Sequence, residues 1–277
     1  MIKLSMPRND RGVALLIVLL VTALLIALIF EFSYATRISL NSAINFRDSK
    51  RAYFLARSGI FAFIKYGKPL RDVIPQGEWG VVPMISDGDT EVRVKWEDES
   101  GKIRINDIRN DTVTLTVVRA LFENVKGIDT TVVDRIYDQQ SNIGSLALLS
   151  GLHQYMSDED YNKVYESLTV APVSLNKVTI NINTASADVL RSLGIINDLD
   201  IKSIITERQA TPYVDADLAS SGTRKLSSII GTTQTRGLLT TRSMEFYRIF
   251  AYATVGGYTK QIEAIVSGNT FSYWRSL

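Results

Sequence analysis

Residues 13–30, VALLIVLLVTALLIALIF, form an unbroken run of 18 residues in which Thr22 is the only polar side chain. A helix rises about 1.5 Å per residue, so the run spans roughly 27 Å, near the hydrocarbon thickness of a bilayer. Soluble cores rarely accommodate so long a helix that is apolar on every side. Membrane insertion, at least in transit, is therefore the first expectation. The preceding MIKLSMPRNDRG carries Lys3, Arg8 and Arg11 against Asp10. That positive excess holds the amino end in the cytoplasm and sends everything after Phe30 outward.

Three fates fit such a segment. It is a plain single-span anchor, or a signal peptide cut near Ser33-Tyr34-Ala35, or an anchor trimmed on its cytoplasmic side. Against the signal peptide, the apolar core exceeds the usual 7–15 residues, and Glu31 and Phe32 crowd the cutting site. For the third fate, Gly12 ends the basic leader and abuts the apolar run directly. This junction resembles the prepilin-peptidase site of type IV pilins and type II secretion pseudopilins. Cleavage there, between Gly12 and Val13, keeps the apolar helix in the mature protein. Most pilins carry a glutamate five residues after that glycine, but here the position is Ile17. A carboxylate at that depth is unfavourable unless paired, and in the family it is thought to pair with the amine of the subunit ahead. A subunit without it suits a filament position with nothing ahead.

Composition removes whole classes of function. Without cysteine there is no disulfide framework, thiolate zinc site or cysteine nucleophile. His153 is the sole histidine, so a histidine-rich metal site is excluded and any Ser-His-Asp triad must use it. No G-x-S-x-G, Walker A or HExxH motif is present, and His153 is expected as a surface or packing residue of a helix. No catalytic residue is assigned and no enzyme is expected. The chain carries 31 Lys and Arg against 29 Asp and Glu; without the first twelve residues the counts are 28 and 28. The slight basicity thus belongs to the leader, and the bulk has no nucleic-acid footprint.

Proline is absent from Arg8 through Lys68, and Ala52, Ala56, Ile60 and Ile64 recur at helical spacing. One long helix over 13–66 follows, amphipathic in its second half. The alternation Glu91-Val92-Arg93-Val94-Lys95-Trp96-Glu97 predicts a half-buried antiparallel strand, and Lys102–Asn106 predicts another. From Asp111 the period changes. Val113, Val117, Leu121 and Val125 mark a helix; a second starts after Asp129; Ser157–Asp160 caps a third over 161–168. The stretch is expected to be mostly helical through about Ile205, with the strands on either side not interrupting it. Within it Thr184 or Ser186 caps one short helix and Asn197 or Asp198 another, joined at Gly194 as a helix-hairpin-helix-like unit. The two runs flanking Gly256-Gly257 predict a hairpin returning to the first strands.

The helix-hairpin-helix unit permits a DNA-binding reading, but Ile196 occupies the place of its second phosphate-cradling glycine. Residues 183–231 hold five basic side chains (Arg191, Lys202, Arg208, Arg224, Lys225) and six acidic ones (Asp188, Asp198, Asp200, Glu207, Asp215, Asp217). Counterion release needs the opposite balance.

Several motifs occur in one order. They are a glycine-ended leader without the later glutamate, an Ala-rich amphipathic helix, Asp98-Glu99-Ser100-Gly101-Lys102-Ile103, Asn181-Ile182-Asn183-Thr184-Ala185, Ser243-Met244-Glu245-Phe246-Tyr247-Arg248, and Trp274-Arg275. Together they resemble the general secretion pathway protein K family, the large minor pseudopilins of type II secretion systems. The resemblance implies a type IV pilin-like α+β fold with a small antiparallel sheet and a large inserted helical domain. The expected parts are leader 1–12, helix 13–66, β domain 67–106 and 238–277, and insert 107–237. It further implies an inner-membrane anchor with the bulk of the chain in the periplasm, processing by prepilin peptidase, a place at the pseudopilus tip and partners of the I and J classes. Some family members bind calcium. No loop of EF-hand spacing occurs here, so Asp87/Asp89 and Glu97–Glu99 are expected as solvated turns and no metal ligand is assigned.

Overall fold

A computed structural model of the chain describes residues 10–86, 90–143, 146, 148–170, 179–218, 226, 237–268 and 270–276. Helix α1 (Asp10–Lys65) is continuous and is followed by the short α2 (Gly67–Val73). It starts three residues before the expected Val13, so the Gly12–Val13 bond lies within its first turn.

Beside α1 stands an antiparallel sheet in the order β1 (Gly80–Val81), β2 (Glu91–Asp98), β7 (Phe246–Val255), β8 (Tyr258–Ser267) and β9 (Thr270–Ser276). In β2 every second residue is buried, as the alternation requires. Ala56, Ile60 and Phe63 of α1 pack on Val92, Val94, Ala251, Ala253, Ile262 and Ala264, and Ala52 is buried one turn earlier. Helix and β7 run in opposite directions. Asp48 lies against the β7–β8 turn at Gly256, while Phe63 meets Tyr247 at the start of β7. The sheet end beside Lys65 is therefore the end farthest from the apolar run.

All the chain from Glu99 to Glu245 leaves the sheet at that end. It has its own core, from Ile103 to Leu239, with Val118, Leu121, Phe122, Val133 and Ile136 at its centre. The elements are β3 (Ile103–Arg104), α3 (Thr112–Ala120), α4 (Thr131–Ile143), α5 (Asp158–Val164), β4 (Leu168–Thr169), β5 (Ile180–Asn181), α6 (Ala187–Ser192), α7 (Asp198–Ala210), α8 (Asp215–Leu218) and β6 (Leu239–Thr240). A π-helical turn, Leu121–Lys126, extends α3, so Val125 belongs to a wider turn than its spacing suggested.

Three expectations need correction. The insert is not free of strands: β3 pairs with β4 and β5 with β6, both parallel. The predicted strand 102–106 is only two residues, because Ile105 enters a 3-10 turn and both sides of β3 are buried. The helix expected over 161–168 stops at Val164, leaving Leu168 and Thr169 to pair. Ser186 and Asn197 are the caps, accepting from the Val189 and Asp200 amides. Gly194 has φ +70°, the left-handed geometry required between α6 and α7.

Candidate functional site

Two regions stand out: the apolar amino-terminal half of α1 and the junction between sheet and insert. Every residue from Gly12 to Arg47 is exposed. Of the eighteen residues of the apolar run, fourteen are Val, Ile, Leu or Phe. Each contributes roughly 0.3–0.6 kcal/mol to insertion at mid-bilayer, so together they favour the membrane by on the order of 6 kcal/mol. Thr22 does not oppose this, since its hydroxyl donates to the Leu19 carbonyl 2.9 Å away. Ile17 is exposed within this apolar surface. The helix is a candidate membrane span by length and composition.

The junction overturns the expectation of a solvated acidic turn at Glu97–Glu99. Asp98 and Glu99 are each 2% exposed, and Arg248 on β7 is 1% exposed. Glu99 lies between Lys102 Nζ at 2.8 Å and Arg248, whose Nε and Nη2 reach its two oxygens at 3.1 and 3.2 Å. Only the Nη2 contact has hydrogen-bond geometry; the Nε contact is purely an ion pair. Thr169 of β4 donates to the same carboxylate. Lys102 also binds Glu97 at 2.6 Å, and Lys95 reaches it at 3.0 Å. On the next strand Glu263 accepts from Tyr165 of the insert at 2.6 Å and pairs with Arg275 at 2.9 Å. Sheet and insert thus share a charged hub in which each buried carboxylate faces a cation or hydroxyl.

Burial alone would raise the Glu97 carboxyl, but Lys102, then Lys95, outweighs it and holds the group at about 2. Burial likewise opposes ionisation of Glu99, and Lys102 and Arg248 overcome it to lower its pKa. Asp98 faces no cation among the described residues. Burial pushes it up despite hydrogen bonds from Ser100, Ser243 and Asn181.

Asp98 joins the two sequence motifs. It accepts from Asn181 Nδ2 at 3.1 Å and from the Thr184 hydroxyl at 3.3 Å. Next to it, a Cβ on Gly101 would sit 2.6 Å from the Thr184 carbonyl carbon and 2.7 Å from the Ala185 amide. The turn after β2 therefore rests directly on the Asn181–Ala185 segment. Asn183 extends the brace, donating to the Tyr213 and Thr241 carbonyls and accepting from the Tyr213 amide. Arg208 donates to the carbonyls of Ile182 and Ala185, both at 2.7 Å. Sequence reading found both motifs but not that each is the other's partner. The 144-residue separation of Ser100 and Met244, whose amide donates to the Ser100 hydroxyl, hid the closure in the same way.

Of the basic groups in the helix-hairpin-helix unit, Lys202 is exposed, while Arg191 and Arg208 are engaged within the chain. Arg191 pairs with Asp188 and Asp198, Lys126 with Asp188, and Arg208 with backbone. Arg224 and Lys225 lie outside the described residues. His153 sits in a 3-10 turn, 2.9 Å from Asp158 and stacked on Tyr161 at 3.9 Å. Among the described residues no group of three or more metal-ligating His, Asp or Glu side chains forms. The Glu97–Glu99 donor set does not fit a calcium ion, because Lys102 and Arg248 already neutralise it. Asp87 and Asp89 lie outside the described residues.

No protein-family model matches the sequence, and no curated protein matches it. Among solved structures, one similar chain belongs to the crystal structure of the GspK-GspI-GspJ complex from the type 2 secretion system of enterotoxigenic Escherichia coli. The two superimpose with a TM-score of 0.55 at 11% sequence identity, over 84% of this chain and 98% of that one. At this identity the likeness is one of fold. The chain has a pilin-like α+β fold with a long apolar amino-terminal helix and a small antiparallel sheet.

Proposed function

We propose that the chain is a non-enzymatic minor pseudopilin of a type II secretion system, seated at the tip of the periplasmic pseudopilus. The observation that carries this reading is α1. One uninterrupted helix is exposed and apolar at one end and forms the back of the sheet at the other, with a large insert beyond it. Prepilin peptidase cuts between Gly12 and Val13, the helix from Val13 holds the subunit in the inner membrane, and assembly lifts it into the filament. Ile17, where pilins carry glutamate, removes the carboxylate that would seek a subunit ahead. Minor pseudopilins of the I and J classes are the proposed partners, as in the complex whose fold this chain shares. Nucleic acid is not a proposed ligand.

Two measurements test the proposal. Mass spectrometry of the chain purified from membranes is expected to find an amino terminus at Val13; a chain beginning at Thr36 would refute the pilin-type processing. Co-purification of the full chain with I- and J-class pseudopilins from the same cell is expected, and its absence would leave a lone anchored domain.

A further inference from the structure

At the membrane-distal end of α1 an open groove of about 380 Å³ runs between the helix end and the adjoining ends of β7 and β8. Ligand sites of several hundred Å³ are usual. Among the described residues its charged lining is Lys65, Lys68 and Arg71 against Glu245 alone, with Tyr66 and Tyr247 as aromatic walls. Arg93, Arg119, Arg191 and Arg242 each hold a nearby acid. The three cations of the groove have no carboxylate partner among the described residues.

Arg71 is presented in a particular way. Its guanidinium lies 4.5 Å over the Tyr247 ring, and Tyr247 is itself wedged edge-on against Phe63 and Trp96. A guanidinium held over a ring in this way still has N–H donors to offer a carboxylate, whose two oxygens match its fork. On the opposite rim Glu245 has φ +58°, a left-handed conformation disfavoured for a residue with a β-carbon. Such outliers persist where the surroundings enforce them, often at binding sites.

The lipid of the anchoring membrane cannot be the ligand. From Phe30 to Lys65 the helix rises about 52 Å, several Debye lengths at physiological salt. We infer that the groove binds an acidic segment of another protein. Arg71 takes one Asp or Glu side chain bidentately, Lys65 and Lys68 hold flanking acids, and Glu245 repels them from the far rim and so sets the orientation. This binding is independent of the secretion reading.

The test uses the full chain in detergent and two rhodamine-labelled decapeptides. One alternates Asp, Glu and Tyr; its twin has Asn and Gln for the acids. Anisotropy is expected to show salt-sensitive binding of the acidic peptide only. Arg71→Gln should weaken it about tenfold, and Arg71→Lys less, since charge survives without the fork. Lys65 and Lys68 are exposed, so Lys68→Glu should abolish binding while the circular dichroism melt stays unchanged. No binding, equal binding of both peptides, or indifference to Arg71→Gln and Lys68→Glu would overturn the proposal. So would capture by phosphatidylglycerol vesicles through Arg71 without peptide binding.

Discussion

Replacing Arg248 with methionine keeps much of the side chain's stem but removes the guanidinium from the face of Glu99. That carboxylate is 2% exposed and would retain Lys102 and Thr169 alone. Breaking one side of a buried pair typically destabilises by about 3–5 kcal/mol. With Lys102 still 2.8 Å away, the expected loss lies near the lower end, about 3 kcal/mol. Glu99→Gln combined with Arg248→Met removes both charges together. It should therefore recover to within about 1–2 kcal/mol of the parent. Urea unfolding of the full chain in detergent, followed by Trp96 fluorescence, reads this out, because Trp96 packs on Phe63 and Tyr247 in the sheet core. A single variant as stable as the parent would show that Arg248 contributes packing alone. A double variant no better than the single would show that the loss does not arise from an uncompensated charge.

The remaining predictions concern the same junction. Glu97 has a depressed pKa of about 2 against an ordinary 4.5. Its contribution is thus complete above about 4.5 and lost as pH falls toward 2, on the order of 3 kcal/mol. Asp98, raised by burial, works in the opposite sense, favouring the fold when protonated. Glu97→Gln should flatten the fall in urea midpoint between about pH 5 and pH 3; an unchanged slope would remove Lys102–Glu97 as its source. Gly101→Ala should destabilise by about 1–3 kcal/mol, since its methyl group meets backbone at 2.6 Å, with hydrogen exchange rising at Asn181–Ala185. Asn183→Ala leaves the Tyr213 and Thr241 carbonyls and the Tyr213 amide without this partner. A loss of about 2 kcal/mol is expected in the same unfolding assay, and a neutral result would mean that water replaces it.

What the sequence disclosed was local. The period of Ala52, Ala56 and Ile60 marks the face of α1 that meets the sheet, and Ser186, Gly194 and Asn197 mark helix ends through their own side chains and backbone. The hub was misread because Glu97-Asp98-Glu99 beside Ser100-Gly101 has the composition of an exposed turn. Its partners, Thr169, Asn181 and Arg248, are remote in the chain and carry no periodic signal. Two-residue parallel strands such as β3 and β4 are too short to show any period, and being buried on both sides they lack alternation. The last strand, β9, went unrecognised because Phe271, Tyr273 and Trp274 do not alternate cleanly with polar residues at this sheet edge. Its pairing with β8 shifts register at Ile265/Val266.

The insert leaves at Asp98 and returns at Phe246, facing ends of two neighbouring strands closed by the Ser100–Met244 hydrogen bond. This arrangement has a mechanical consequence. A pull on the insert away from the amino-terminal end of α1 draws β2 and β7 in the same direction, so their mutual ladder carries little strain. The load falls instead on the ten paired positions between β7 and β8 and on the contact with α1. Those bonds lie across the pull and must yield together in shear rather than unzip one by one. The fold is therefore braced along the axis on which the insert and the amino-terminal end of α1 can be drawn apart.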